Sequence, residues 1–548
     1  MPKRTQAARG LHRRIGSLAL AVALGTVGGK AAEEEPGRWL AVTAPAFRSE
    51  LTPLIEHRRA EGFHVTIVES TSLLTSEQIR QTNSTPLQTH IREFCLQTDS
   101  PCYVLLVGTA ALVDPANAER TVVPALLGTV ERMKGQLSDY RFAPPMGPAS
   151  PMVTVGRFPA RSAEEVRVMV QKTLRLEQAP PTGDWRNRLV LLLGNPGGGA
   201  VAEMVADATL MRRLPRLHPS WNVQAISCSA ASRYFLPGKN ARDAFLRALE
   251  DGGLFSVFMG HSSPSAMWLS GNHHVTRADW SQLSVPSPGI FFTCGCFALQ
   301  PQAAGGDGYG LAAMRQSNGP TAVIGATAES YAAPGLLAAD GLLQCFGQPP
   351  FPSRLGDFWR SVQAGLATGE IDRITFTLYD QADGSKGKVP LEVQRLEHLE
   401  MWMLLGDPAL HLPLTPVDVS LEPAGMINAG ESFTVRGVLT EDMAGATVRV
   451  TLERPLASAP IDLEPLPADN PENAAARERI VADNHRRANS FVLATAAAQA
   501  NGNAFHCTLI APDRLPWSSL LIRAEASAAG RPALGIVSVP VSVVASTE

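Results

Sequence analysis

The sequence predicts an α/β protein with mostly parallel strand pairing, continued by a second, all-β domain. Three observations carry this reading. Short continuous apolar runs, such as Tyr103-Val-Leu-Leu-Val-Gly, Arg188-Leu-Val-Leu-Leu-Leu-Gly and Ile290-Phe-Phe-Thr, read as strands buried on both faces. Segments of helical period separate them, and strand, helix, strand in succession calls for right-handed crossovers and parallel pairing. From about residue 416, apolar and polar residues alternate between turn residues, the period of half-exposed antiparallel strands in a β-sandwich.

A chain of 548 residues exceeds one core and divides into about three domains. With 45% hydrophobic and 18% charged residues and a formal net charge of -3, it has no basic excess for nucleic acid or an anionic membrane. At the N-terminus, Lys3, Arg4, Arg9, Arg13 and Arg14 precede the apolar segment Ile15 to Val27, and Ala31-Ala32 follow. That layout over residues 1–32 is a secretory signal, which predicts a secreted, periplasmic or cell-surface protein. The run is shorter than the roughly 20 apolar residues of a membrane span, so no stable membrane insertion is expected. Seven cysteines leave at least one unpaired within the chain. Cys95 and Cys102 flank a short polar turn and are candidates for a local disulfide if their backbones are close enough. Cys228, Cys345 and Cys507 read as apolar fillers.

The first α/β subdomain spans residues 38–183. Trp39 to Pro45 is a strand, a helix runs to about Gly62, and Phe63 to Glu69 is the next strand. Helical spacing from Leu87 to Leu96 leads to the strand Tyr103 to Gly108, and a further strand begins at Met152 to Val155. Ser162 and Glu165 have capping-box spacing, and Val166, Met169, Val170, Thr173 and Leu174 share one face of the helix that follows. Pro180-Pro181 and Gly183 break the pattern, and a second α/β subdomain covers residues 184–414. Its first strand runs into Gly194-Asn-Pro-Gly-Gly-Gly, which lacks the Gly-Lys-Ser/Thr ending and the G-x-G-x-x-G spacing of phosphate loops, so a plain strand-to-helix turn is read. Strands over 222–228 and 321–327 flank the two reactive segments described next. Residues 415–548 form the sandwich, with Glu472 to Ala500, rich in Ala and Arg, read as a helical insertion.

Two apolar runs end in reactive side chains: Leu254 to Met259 leads into Gly260-His261, and Ile290 to Thr293 leads into Cys294. Residues that follow such strands project from the carboxyl edge of an open α/β sheet, where its sites lie. An imidazole within reach of a thiol takes its proton and later protonates a leaving amine, which supports nucleophilic catalysis. Gly260 and Gly295 beside the pair allow sharp bends and close approach of a substrate. His273 and His274 are adjacent, so in an extended segment they point to opposite faces; this is poor metal geometry, though His274 is a candidate substrate contact. With no C-x-x-C or H-E-x-x-H, zinc is not expected. Asp407 reads as a turn or cap, and Asp139-Tyr140 as lining the cleft from the first subdomain.

The segments Gly260-His-Ser-Ser-Pro-Ser-Ala-Met-Trp and Phe291-Phe-Thr-Cys resemble the histidine and cysteine segments of the gingipain family of cysteine peptidases, in the caspase–gingipain clan. Tyr103-Val-Leu-Leu-Val-Gly, Val153-Thr-Val-Gly-Arg-Phe-Pro-Ala-Arg-Ser and Leu405-Gly-Asp-Pro-Ala-Leu extend the resemblance, which covers residues 38–413. It implies a caspase/gingipain-like two-subdomain catalytic unit with mostly parallel sheets, followed by an immunoglobulin-like β-sandwich. It further implies His261 as general base and acid, Cys294 as nucleophile, and the backbone amides of Ser262 and Cys294 as the oxyanion hole. Tyr331 falls where the family places an aromatic wall of the primary specificity pocket, and Glu329 at the same edge would favour Arg or Lys. The family binds calcium, for which no ligands stand out here; no other cofactor is implied. Departures are Ser262 in place of the usual glycine, Cys296 as an alternative nucleophile, and Met152 near where the family has a histidine-orienting acid, which leaves a dyad. The resulting expectation is a secreted cysteine endopeptidase acting on protein or peptide substrates. Its rivals are a sortase-like transpeptidase of the same family and a catalytically silent secreted binding or adhesion protein.

Overall fold

Ten strands, each named here by its residues, join into one sheet: β1 Arg38–Thr43, β2 His64–Glu69, β3 Cys102–Val107, β4 Val153–Phe158, β5 Arg188–Leu193, β6 Asn222–Ser227, β7 Phe255–Met259, β8 Ile290–Thr293, β9 Ala322–Ala326 and β10 Trp402–Leu405. The computed structural model describes residues 37–110, 115–143, 153–179, 183–197, 199–284, 289–301, 306–422 and 425–542. The expected leader over 1–32, Met152 and the Pro180-Pro181 break lie outside the described residues. The strand order is β2-β1-β3-β4-β10-β9-β8-β7-β5-β6. Neighbours are parallel throughout except β9 with β10, which are antiparallel. The two expected subdomains therefore share a single sheet of two opposed halves. Strand β10, from the end of the second segment, pairs with both halves and joins them.

The apolar runs are central strands because both of their faces are covered. Phe291 of β8 packs in one apolar cluster with Phe245, Trp280 and Tyr309, while its neighbour Phe292 packs in the other with Phe255, Phe346 and Trp402. Successive side chains of a strand point to opposite faces, so one run feeds two cores. The helices that cover these faces include α1 Ala163–Glu177, α2 Ala200–Arg213, α3 Gly238–Asp251, α4 Tyr309–Arg315, α5 Ala332–Cys345, α6 Leu355–Thr368 and α7 Leu391–Met401. Helix α1 buries Val166, Met169, Val170 and Thr173 as its spacing predicts. Its capping box is half formed: Ser162 Oγ accepts from Glu165 N at 3.2 Å, but the Glu165 carboxylate takes the amide of Arg161 at 2.7 Å. Cys95, at the end of helix Thr85–Cys95, and Cys102, the first residue of β3, are free thiols with sulfurs 2.7 Å apart.

The C-terminal segment forms two antiparallel sheets. Its elements are β11 Ser420–Leu421, β12 Ser432–Val438, β13 Thr447–Glu453, α8 Ala474–Ala488, β14 Val492–Gln499, β15 Ala504–Ile510, β16 Ser519–Ala528 and β17 Arg531–Pro540. The three-stranded order is β11-β12-β15 and the four-stranded order is β14-β13-β16-β17. Val435, Phe505 and Leu509 of the first share an apolar cluster with Val448, Leu520 and Ile522 of the second. The segment read as a helical insertion is helix only to Ala488; Val492–Gln499 is a strand against β13. Its alanines favour helix locally, and pairing with β13 overrides that preference. The insertion also covers a sheet edge: the Asn489 side chain bonds both N (2.8 Å) and O (3.0 Å) of Ala225 on edge strand β6.

Asp407 turns the chain as expected, with Leu410 N donating to its carbonyl at 3.0 Å, and is also a buried tie. It accepts from Trp39 Nε1 at 3.0 Å, from Ala409 N at 3.0 Å and from Arg58 Nε at 2.9 Å. Arg58 also pairs with Glu61 and Glu177, and His57 Nε2 lies 2.8 Å from Glu177. His57, Glu61 and Glu177 have ligand-type atoms within 4.8 Å of one another, but Arg58 and Arg354 already neutralise the carboxylates, which makes an ion-pair network of the group. The hydrogen bond to Glu177 raises the His57 pKa above 6.5. A raised histidine pKa stabilises the fold fully below the unfolded value and loses that contribution as pH rises through the folded one. Thermal melts should therefore show a fall in Tm as pH rises from about 6 to 9 that is smaller in His57→Gln; equal pH slopes would contradict this.

Candidate active site

Register sets the site. In the parallel pair β7/β8, Phe258 lies opposite Thr293, and in β8/β9 Phe292 lies opposite Ile324. The residues that follow all three strands therefore leave from one edge: His261 and Ser262, then Cys294 and Cys296, then Glu329 and Tyr331. Gly260 permits the exit of β7, because a Cβ there would crowd the Phe258 ring at 3.0 Å and Gly194 at 3.2 Å.

His261 is exposed, and its Nε2 lies 3.2 Å from the carbonyl oxygen of Pro196, in the turn between β5 and α2. A carbonyl only accepts, so Nε2 carries the proton and Nδ1 holds the lone pair of the neutral ring. The chain then folds into an antiparallel hairpin of Ser262–Ser263 with Ala266–Ser270, to which His273–Thr276 adds a third strand. Trp268 N donates to His261 O at 2.9 Å. By the alternation of an antiparallel ladder, the Ser262/Met267 pair is then the non-hydrogen-bonded one, and the Ser262 N–H points away from the hairpin. Trp268 is 49% exposed, with its ring between His261 and His274 at centroid distances of 6.5 and 6.4 Å. His273 is exposed and His274 half-buried.

Around Cys294 the backbone is tightly braced. Its amide donates to Phe258 O at 2.9 Å, and the Gly295 amide donates to Thr293 Oγ1 at 3.1 Å. Thr293 Oγ1 in turn lies 2.6 Å from Tyr309 Oη, and Ser262 Oγ donates to Cys296 O at 2.8 Å. A Cβ on Gly295 would collide with Ser262 Oγ and approach Tyr309 Oη at 2.8 Å, so the middle residue of Cys294-Gly-Cys296 has to be glycine. Phe297 completes the turn with a φ of 58°. The Cys294 amide is thus spent on the sheet ladder, which corrects its expected place in an oxyanion hole; of the two amides expected there, that of Ser262 stays open.

The Cys294 sulfur lies 3.8 Å from Gly335 O in the first turn of α5, and burial pushes its thiol pKa up to about 12. The resting group is therefore a neutral thiol, which would need a base to become nucleophilic. Cys296 Sγ instead accepts from Ser330 N at 3.3 Å, and burial raises its pKa as well. Tyr331 is only 5% exposed and lies beneath the guanidinium of Arg132, 3.6 Å from the ring centroid; Glu329 pairs with the same guanidinium at 3.3 Å. The Tyr331 face is thus covered by Arg132, and Glu329 is paired with the same side chain. Asp139 is likewise interior, bound through both oxygens to Arg157, and Tyr140 packs with Leu337, Leu366 and Leu399. The sequence gives no warning of Pro196, whose contribution is a backbone carbonyl, or of Arg132, which is remote in the chain.

A family model described as Peptidase family C25 matches residues 32–413. The chain belongs to this family. It is thereby a cysteine-type peptidase, a hydrolase whose substrates are proteins or peptides, and the gingipain resemblance of its sequence holds. A crystal structure of the Arg-specific cysteine proteinase gingipain R has the same fold, with 17% identity and a TM-score of 0.51 over 93% of this chain and 99% of that one. A second solved structure, described only as a protease, matches with 14% identity and a TM-score of 0.51 over 92% of this chain and 97% of that one. No curated protein matches this chain. Among the described residues of this C25 peptidase, no helix is long and apolar enough to cross a membrane.

The brace around Gly295 is open to test. Gly295→Ala should cost about 1–3 kcal/mol in denaturant unfolding through overpacking. Ser262→Ala, which removes one colliding atom, should recover part of that cost in the double variant. Strictly additive costs would contradict the contact.

Proposed function

We propose that this C25 peptidase is a secreted endopeptidase that cleaves peptide bonds through an acyl-enzyme on Cys294, with His261 as its proton carrier. The observation that carries the reading is the pairing of Phe258 with Thr293, from which His261 and Cys294 leave at one edge of adjacent parallel strands. The Pro196 carbonyl fixes the tautomer that leaves Nδ1 as base. That carbonyl takes the place of an orienting carboxylate, consistent with a dyad. Cys294 is preferred over Cys296 because it leaves the end of β8 directly after Thr293, whereas Cys296 lies two residues further along the turn.

In the proposed cycle, His261 Nδ1 takes the proton from Cys294 Sγ, and the thiolate adds to the carbonyl carbon of the scissile bond. The Ser262 N–H faces the developing oxyanion. Collapse breaks the C–N bond, the imidazolium protonates the leaving amine, and a thioester remains. Water, deprotonated by the same imidazole, hydrolyses that thioester and restores the thiol. Export by the basic-apolar leader and an immunoglobulin-like identity for the C-terminal pair of sheets belong to the same proposal. No feature of the site favours the transpeptidase or silent-adhesion readings.

Internally quenched peptides test this with three variants. Cys294→Ala and His261→Ala should each lower kcat by at least about a hundredfold, with Tm unchanged, while Cys296→Ala keeps most activity. Retained turnover in Cys294→Ala would reject the assignment.

A further inference from the structure

Between two short paired strands, Leu126–Leu127 and Leu137–Ser138, the chain forms a tongue that reaches α7. Two buried acids of α7 hold it. Glu400 accepts from Thr129 N at 2.8 Å, Val130 N at 3.1 Å and Thr129 Oγ1 at 2.9 Å. Glu397 accepts from Arg132 N at 2.9 Å and Arg132 Nε at 3.1 Å. So anchored, Arg132 lays its guanidinium over Tyr331 at 3.6 Å and reaches Glu329 with Nη1 at 3.3 Å. Its side chain remains 34% exposed, so this arrangement faces the outside of the protein.

The stack lies beside the reacting thiol. Tyr331 immediately precedes α5, Gly335 N donates back to Tyr331 O at 3.4 Å, and Gly335 O lies 3.8 Å from Cys294 Sγ. Tyr331, which carries Arg132 on its ring, therefore stands about one helical turn, roughly 5 Å along the axis, before the residue whose carbonyl touches the sulfur. A flat aromatic face with carboxylates at its rim is a receptor for a cationic side chain. Here that receptor already holds a guanidinium, and it belongs to the chain itself.

We propose that Arg132 is a specificity-determining residue: it fills the Tyr331–Glu329–Glu397 pocket next to Cys294 and excludes arginine and lysine side chains of the substrate from it. The proposal rests on Cys294 as the nucleophile. A substrate cation would have to share one ring and one exposed carboxylate with a like charge that is tied down by Glu397. Removal of Arg132 leaves the ring face and both acids in place and opens the pocket to a basic side chain.

The test uses the full chain and two probes. One is benzamidine, an aryl amidine that mimics a guanidinium, read by thermal shift and calorimetry. The other is a pair of quenched peptides with arginine or norleucine before the scissile bond. Wild type should bind no benzamidine at millimolar concentration and should not favour arginine. Arg132→Ala should bind benzamidine and raise its arginine-to-norleucine ratio of kcat/KM about tenfold. Should Arg132→Ala fail to fold because Glu397 loses its partner, Arg132→Gln, which keeps a donor for Glu397 but removes the like charge, carries the same readouts. A folded variant with no benzamidine binding and an unchanged ratio, or a wild type that already prefers arginine, overturns the proposal. Benzamidine binding requires no turnover, so binding gained without cleavage of either peptide rejects the peptidase reading and upholds the pocket.

Discussion

Everything at the site depends on β7 and β8 lying side by side in parallel with Phe258 against Thr293. A slip of one residue would turn Phe291 and Phe292 to the wrong cores and separate the residues beyond them. Both phenylalanines are fully buried, so register is enforced by apolar packing on two faces at once. The reactive residues inherit their positions from this packing. Ser262 Oγ, bonded to the Cys296 carbonyl, closes the frame by joining the two strand exits directly.

The rest of the catalytic unit keeps that frame rigid. Two half-sheets of opposite direction meet at β9 and β10, so the carboxyl edge of the second half abuts the start of β10 and the end of α7. From there the acids of α7 reach the tongue that carries Arg132. At the far end of β10, Asp407 gathers Trp39 and Arg58 of the first half. A buried acid with its donors satisfied in this way favours one arrangement of the halves over others, because removal of any partner strands a charge.

How much of this is legible in the sequence follows from the kind of signal each part leaves. Strands buried on both faces announce themselves as apolar runs, and the reactive residues at their ends are visible for that reason. Val492–Gln499 is misread because alanine marks helix locally, while its strand state comes from β13, which lies elsewhere in the chain. The Cys294 amide is misassigned because the direction of an N–H follows from the ladder, and no residue type encodes it. Pro196 acts through a carbonyl every residue has. Tyr331 and Glu329 are found at the right edge, yet the residue that covers one and pairs the other comes from the opposite subdomain, where nothing near Arg132 points to them.

The proposed cycle stands or falls on Cys294 supplying the bond-forming sulfur. Rapid acid quench of the enzyme with a slowly deacylating peptide ester, followed by proteolysis and mass spectrometry, places the acyl group directly. A thioester on Cys294 is expected in wild type and in Cys296→Ala. An acyl group on Cys296, or none on either cysteine while the ester is turned over, would contradict it.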